Sequence, residues 1–372
     1  MKLMAKTRVL VVDDSAFMRK VISDMISQDP SFEVVGTARD GLDALQKIAE
    51  LQPDVITLDV EMPRKNGLET LRDLMAANPV PVVMLSSVTQ AGAKATLEAL
   101  ALGAVDFIPK PSGAISLDIE KVKDELISKL KAAASAKIQP PKIKAPPFKA
   151  TPIPPLKKQA VFSQPLDSMS PRSIVAIGAS TGGPRALEAV LRQFPENLPA
   201  AVLVVQHMPA GFTRSMAERL DQMSSIKVKE AEEGERIRAG VAYVAPGDYH
   251  MLIGPGGVVR LEQTPPVNYV RPSIDVTFLN LPPAYSGYTV GVILTGMGRD
   301  GAAGMAKIKA EGGVTIVQDE ATSVIYSMPK AVVQNGDADF ILPLDRIGDA
   351  AVRAIAALME QGREGGNGAS GR

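Results

Sequence analysis

"SIVAIGASTGGPRALEAVL", Ser173–Leu191, decides how the second half of this chain is built. An apolar run ends at a turn of small residues, and apolar side chains then return at helical spacing. That pattern predicts strand, tight turn and helix in succession. A glycine-rich corner of this kind cradles a phosphate or presents a nucleophile, because bare amides and a helix amino end attract a bound anion and a transient oxyanion alike. A Walker-type phosphate loop needs a lysine just after its last glycine, whereas Pro184 and Arg185 stand there. A dinucleotide fingerprint needs Gly-x-Gly-x-x-Gly, and the glycines here are Gly178, Gly182 and Gly183. Gly178-Ala179-Ser180-Thr181-Gly182 does match the Gly-x-Ser-x-Gly spacing of a nucleophile elbow, with Ser180 at the apex. The nucleophile reading therefore leads.

A serine hydroxyl needs a base, and the chain offers only two histidines, His207 and His250. His207 ends the apolar run "AVLVVQHM" directly after the elbow's helix, so neighbouring parallel strands would bring it to the same sheet edge as Ser180. His250 lies in "PGDYHML", in a hairpin pattern, and stays a second candidate near the cleft. The base in turn needs a carboxylate to fix its tautomer, and "ILTGMGRDGAAGM" supplies Asp300 in a glycine-rich turn after another apolar run. The amides of Thr181 and Met297 are candidate oxyanion donors. An α/β-hydrolase order would require Ser180, Asp221 and His250, but Asp221 falls inside a helical pattern, so Asp300 is preferred and that fold is not assumed. "NYVRPSIDVTF" either lines the cleft through Arg271 and Ser273 or is a solvent-facing loop.

The totals agree with two cores. At 372 residues the chain exceeds one modest domain. Acidic and basic side chains balance at 41 each and aromatics are few, which argues against a nucleic-acid partner. There is no cysteine, so disulfides, thiolate zinc sites and thiol nucleophiles are excluded. The amino end, "MKLMAKTRVLVVDDS", is interrupted by Asp13 and Asp14 well short of a signal-peptide core, and no later stretch is long enough to span a bilayer. A soluble, cytoplasmic protein without membrane insertion is expected.

From Gln139 to Pro171 prolines recur every few residues, lysines dominate the charge and periodicity vanishes, which predicts a linker able to reach on the order of 90–100 Å in polyproline II form. The expected organisation is a first domain over 5–128, a Pro/Lys-rich linker over 129–171, a second domain over 172–358 and a frayed tail over 359–372. Before the linker, "RVLVVDD", "FEVVGTA", "DVITLDV", "PVVMLSS" and "AVDFIPKP" alternate with helical patterns; after it, "SIVAIGAS", "AVLVVQHM", "TVGVILTG" and "VTIVQD" do the same. Both halves are therefore expected to be α/β, each a doubly wound parallel sheet covered on both faces: flavodoxin-like first, Rossmann-like second. "VAYVAPGDYHMLIGPGGVVRLEQ" is expected to form an antiparallel hairpin at an edge of the second sheet.

In the first half Asp13 and Asp14 end one run and Asp59 another, which gathers three carboxylates in the crevice at the carboxyl edge. Their mutual repulsion calls for a hard divalent cation, and Mg²⁺ suits such a site. Ser86 and Lys110, at later strand ends, offer a hydroxyl and an ammonium to a phosphoryl group in transfer. A cis Lys110–Pro111 bond would help aim the lysine. Asp-Asp, Asp, Ser and Lys-Pro at successive strand ends resemble the receiver domain of two-component response regulators over roughly residues 5–128. The resemblance implies that a histidine kinase phosphorylates Asp59, that Asp13, Asp14, Asp59 and the carbonyl of Glu61 form the Mg²⁺ site, that Ser86 and Lys110 contact the phosphoryl group, and that Phe107 is the aromatic switch.

The constellation "GASTGGP", "VQHMP", "APGDYHM", "RPSIDVTF" and "LTGMGRDGA" resembles the chemotaxis protein-glutamate methylesterase family, over nearly all of residues 172–355. The resemblance implies hydrolysis of γ-glutamyl methyl esters on the cytoplasmic helical region of chemoreceptors, with methanol released, and deamidation of receptor glutamines. It implies Ser180 as nucleophile, His207 as base and Asp300 as its orienting acid, with no cofactor for the hydrolysis. The domain order suggests that an unphosphorylated receiver covers the cleft and that phosphorylation shifts the population toward open forms. A binding-only module is the rival reading; a transcription regulator would need a basic helix-turn-helix, and none is found.

Overall fold

The computed structural model describes residues 6–110, 118–136, 171–281 and 283–367. The chain forms two compact units, Met1–Lys142 and Ile143–Arg372.

The first unit runs β1 (Thr7–Val12), α1 (Ala16–Ser27), β2 (Phe32–Ala38), α2 (Gly41–Leu51), β3 (Val55–Asp59), α3 (Gly67–Ala77), β4 (Val82–Ser86), α4 (Gln90–Leu102), β5 (Asp106–Pro109) and α5 (Asp118–Ser135). Its five strands are all parallel, in the order β2-β1-β3-β4-β5. Strands such as β1, with Val9–Val12 entirely buried, read as continuous apolar runs because helices cover both faces. The helices start where short polar side chains accept orphan amides: Ser15 caps α1, Asp40 caps α2, Asn66 and Glu69 form a reciprocal capping box on α3, and Thr89 caps α4. Helix α5 continues to Ser135, past residue 128. Residues 137–170 of the proline-rich stretch, and Pro111 of the bond expected to be cis, lie outside the described residues.

The second unit runs β6 (Ser173–Ala179), α6 (Gly183–Leu191), β7 (Ala200–Gln206), α7 (Phe212–Met223), β8 (Lys227–Glu230), β9 (Val241–Val244), β10 (His250–Gly254), β11 (Val258–Glu262), α8 (Ile274–Leu279), a 3₁₀ turn (Pro283–Tyr285), β12 (Thr289–Ile293), α9 (Ala302–Ala310), β13 (Val314–Gln318), α10 (Ser327–Gln334), β14 (Phe340–Leu342) and α11 (Leu344–Asn367). Seven strands form one sheet in the order β14-β13-β12-β6-β7-β9-β8, and every pairing is parallel. The first strand in sequence, β6, is thus central, with β7 on one side and β12 on the other. The topology reverses there, where open α/β sheets open a crevice at their carboxyl edge. Helix α11 runs into the stretch expected to be a tail.

The expected antiparallel hairpin is present as β10 and β11, but it is shorter than the stretch expected to form it and stands apart from the seven-stranded sheet. Of "VAYVAPGDYHMLIGPGGVVRLEQ", the first four residues are β9, a parallel strand between β7 and β8, while only β10 and β11 are antiparallel, and they form a separate two-stranded sheet. The short apolar run of β9 gives no periodic sign of its partner's direction, whereas Gly256 and Gly257, both at positive φ, supply the turn that closes the real hairpin. Met251, Ile253 and Val259 of that hairpin join Ile174, Leu203, Phe278, Ile293 and Met305 in one buried cluster. At about 1.5–3 kcal/mol for each large apolar side chain fully buried, this cluster fixes the hairpin and α8 against the sheet.

Candidate functional site

Ser180 follows the last residue of β6, and His207 the last residue of β7. The register pairs Ala179 with Gln206, and the His207 amide donates to the Ala179 carbonyl at 3.1 Å, so Ser180 and His207 leave adjacent strand tips side by side. The turn that carries Ser180 is fixed by its backbone. Its amide donates to the Thr295 carbonyl (3.0 Å), and its carbonyl accepts from Gly183 N (2.7 Å) and from the buried Gln206 Nε2 (2.9 Å). Gln206 Nε2 also donates to the His207 carbonyl at 3.1 Å, tying the Ser180 and His207 segments together. Two glycines are sterically required. Gly182 sits at φ 78°, and a Cβ on Gly296 would stand 2.7 Å from Ser180 Cβ. Helix α6 therefore starts without a side-chain cap, and Ser180 keeps a partly exposed position at its entrance.

Asp300 comes from the turn after β12, the other neighbour of β6. It is buried, and its Oδ2 lies 2.8 Å from His207 Nε2. Four further donors converge on the same carboxylate: Asn268 Nδ2 (2.8 Å), Ser273 Oγ (2.8 Å), the Ile274 amide (2.6 Å) and the Asp275 amide (3.3 Å). Burial alone would raise its pKa. The hydrogen bond and charge of His207, with the Asn268 and Ile274 donors, overcome that and lower it from 3.8 to about 2. Asp300 is thus a fixed negative charge held against the His207 imidazole. Asp275, which takes the Gly304 amide at 2.9 Å and shares Asn268 Nδ2 at 3.3 Å, is pushed the other way, by burial and by the neighbouring Asp300.

The other residues singled out in the sequence divide. Thr181 is buried beside Ser180, its carbonyl accepting from Thr295 Oγ1 at 3.0 Å, and Met297 lies exposed in the turn between β12 and Asp300. Ser273 caps α8 and grips Asp300, so "NYVRPSIDVTF" meets the site through Ser273 and, unforeseen, through Asn268. Arg271 makes its side-chain hydrogen bonds elsewhere. Its guanidinium is taken up by Asp248 and by the carbonyls of Gln263 (3.1 Å) and Thr264 (2.8 Å). His250 has no exposed surface to line a cleft with. Its Nδ1 accepts from the Ser273 amide (3.1 Å) and its Nε2 lies 3.2 Å from the Pro265 carbonyl, so it is a strut behind Ser273. Asp221 lies within α7, bonded to Lys227 and the Val228 amide. Gln206, Thr295, Asn268 and Asp275 lie within the stretches singled out in the sequence, "VQHMP", "LTGMGRDGA" and "NYVRPSIDVTF", but no role falls to them from sequence alone.

The first unit has its own crevice, at the carboxyl ends of β1, β3, β4 and β5. Asp13, Asp14 and Asp59 each offer an oxygen within 4.8 Å of the others. Lys110 Nζ reaches Asp59 Oδ2 at 2.7 Å and Asp13 Oδ2 at 2.9 Å. Burial, opposed by Lys110 and assisted by Asp13, pushes Asp59 up to about 6. Three carboxylates against one ammonium form an oxygen-only set with excess negative charge, which fits a hard divalent cation such as Mg²⁺. Glu61 follows two residues after Asp59, its amide 3.4 Å from Asp59 Oδ1. Ser86 is buried at the tip of β4, its hydroxyl donating to the Gly92 carbonyl at 3.2 Å. Phe107 is buried, with Lys129 Nζ 5.1 Å from its ring centroid. Among the described residues, no helix is long and apolar enough to cross a membrane.

Comparison with known proteins finds two family matches, a response regulator receiver domain over residues 9–120 and a CheB methylesterase over residues 175–351. The protein-glutamate methylesterase/protein-glutamine glutaminase of Symbiobacterium thermophilum is 53% identical over 357 residues, 94% of this chain and 97% of that protein. The protein of the same name from Pyrococcus abyssi is 50% identical over 365 residues, 97% and 96% of the two chains. Among solved structures, the Thermotoga maritima CheB methylesterase catalytic domain aligns with a TM-score of 0.47 at 45% identity, covering 49% of this chain and 97% of that one.

Proposed function

Because this chain belongs to the protein-glutamate methylesterase/protein-glutamine glutaminase family and carries a receiver domain ahead of the catalytic one, we propose that Ser180, His207 and Asp300 perform the hydrolysis and that phosphorylation of Asp59 controls it. The observation that carries the reading is the 2.8 Å pairing of His207 with a buried, multiply bonded Asp300, one strand away from an elbow serine.

With Nε2 engaged by Asp300, Nδ1 is the ring nitrogen left for the serine. Ser180 Oγ attacks the γ-carbonyl of the esterified glutamate while His207 Nδ1 takes its proton, and Asp300 stabilises the imidazolium. The amides of Thr181 and Met297 stabilise the oxyanion. The C–O bond to the methoxy group breaks, methanol leaves with the proton from His207, and a water deprotonated by the same nitrogen releases the free glutamate and restores Ser180. With a glutamine side chain the leaving group is ammonia and the remaining steps are the same. The substrates are methyl-accepting chemoreceptors, attacked in their cytoplasmic helical region, and no cofactor takes part.

In the receiver, Asp59 accepts a phosphoryl group from the chemotaxis histidine kinase. Asp13, Asp14, Asp59 and the Glu61 carbonyl would hold Mg²⁺, which when bound neutralises charge on the incoming phosphoryl oxygens. Lys110 and Ser86 contact those oxygens, and Phe107 responds to them as the switch residue. Methanol release from a methylated receptor fragment tests the catalytic part. The full chain should release it, and Ser180→Ala should lower the rate by at least on the order of 10⁴-fold; undiminished release from the variant would refute the nucleophile.

A further inference from the structure

Between β11 and α8 the chain makes a turn whose chemistry the hydrolysis above does not use. Val267 and Val270 exchange backbone hydrogen bonds (3.2 and 3.1 Å), and the two residues between them, Asn268 and Tyr269, have φ of 54° and 66°. Two successive positive φ values inside such a bridge are those of a type I′ turn, whose second corner favours glycine because a Cβ is strained there. Tyr269 occupies that corner with a relative exposure of 102%, the largest among the exposed hydrophobic residues. The molecule thus holds a bulky aromatic in a strained conformation and gains no internal packing from it, the kind of backbone outlier that clusters at ligand-contacting positions. The other corner says which ligand: Asn268 Nδ2 bonds directly to Asp300 at 2.8 Å. The turn is therefore anchored in the proposed site through one residue and exposes an aromatic ring on the next. Pro265, Pro266 and Pro272 flank it and limit its freedom, which lowers the ordering cost of a contact made there. Val267 and Met297, 38% and 36% exposed, add apolar surface on the same turn and on the turn that carries Asp300.

We infer that Tyr269 is a docking residue for the polypeptide that bears the reacting side chain, separating protein-borne esters from small free ones. The inference rests on the hydrolase reading above. A methyl ester on a free amino acid derivative can reach Ser180 without meeting a ring held outside the site, whereas a folded polypeptide brings neighbouring surface with it. A rigid aromatic with a polar tip suits such surface, as tyrosines do at binding hot spots.

The test uses the full chain and two substrates, a methylated receptor fragment and the γ-methyl ester of an N-acetylated glutamate amide. Tyr269→Gly is the informative variant, since glycine removes the ring while relieving the strain at that corner; Tyr269→Phe keeps the ring. The readout is the ratio of kcat/KM for the receptor fragment to that for the small ester, which cancels any general loss of active protein. It should fall about tenfold in Tyr269→Gly, through KM for the receptor, and stay within about twofold in Tyr269→Phe. A ratio unchanged in Tyr269→Gly overturns the docking role, whether both rates fall together because the turn merely supports Asp300 or both rise because the ring covered the site in the resting chain. If the unaltered chain hydrolyses neither substrate, the hydrolase reading fails and the docking role falls with it.

Discussion

Both units present carboxylates at the carboxyl edge of a parallel sheet, in the same topological position, yet the two edges are electrostatic opposites. In the first, Asp59 is buried near Asp13 with Lys110 as shared partner, and its pKa rises to about 6. In the second, Asp300 is buried as well but takes four donors besides His207, and its pKa falls to about 2. Burial pushes both carboxylates up; the N–H and O–H groups and the charges facing each one decide whether that push is overcome. A carboxylate short of donors is suited to receive a cation or a phosphoryl group. One saturated with donors is suited to hold a histidine in place through many turnovers.

The largest expected effect tests the saturated side. Asp300→Asn keeps the shape but offers the histidine an amide in place of a charge, and should lower kcat for methanol release on the order of 10⁴-fold. A loss under tenfold would mean that the donor-rich carboxylate is only structural. Next comes the donor-poor side: Asp59→Asn removes the acceptor oxygen, so the stimulation of hydrolysis by a small phosphodonor with Mg²⁺ should vanish, the stimulated and unstimulated rates becoming equal. A stimulation that survives would separate control from this crevice. The smallest effect concerns stability. Since Asp300 binds its proton less readily folded than unfolded, its charged form stabilises the native state above about pH 4, and that contribution disappears as pH falls toward about 2. Melting temperatures of the unaltered chain and Asp300→Asn should therefore differ most near neutrality and converge below pH 4; a constant gap would contradict the low native pKa.

These contrasts were unevenly legible in the sequence. The α/β architecture was plain, because buried parallel strands are continuous β-branched runs that stop at functional residues, as "VLVVDD" and "SIVAIGAS" do. Adjacency of the Ser180 and His207 strand tips also followed, from a single intervening helix. The direction of β9 did not, since four apolar residues carry no information on their neighbours. Nor did the donors around Asp300: Asn268 and Ser273 lie 32 and 27 residues away in sequence, and nothing local marks a side chain whose partner is that remote. His250 stands out in the sequence as one of two histidines and within "APGDYHM". Its environment, invisible in sequence, makes it a buried prop.

The Gln206 amide, clasping the carbonyls of Ser180 and His207 at once, acts as a yoke between two strand tips. Two bonds from one side chain hold the backbone at Ser180 to the backbone at His207, which favours movement of the two tips together. A leucine of similar bulk at 206 would take this donor from the His207 carbonyl, leave the Ser180 carbonyl with the Gly183 amide alone and uncouple that pair, and should lower activity without altering any atom that meets the ester.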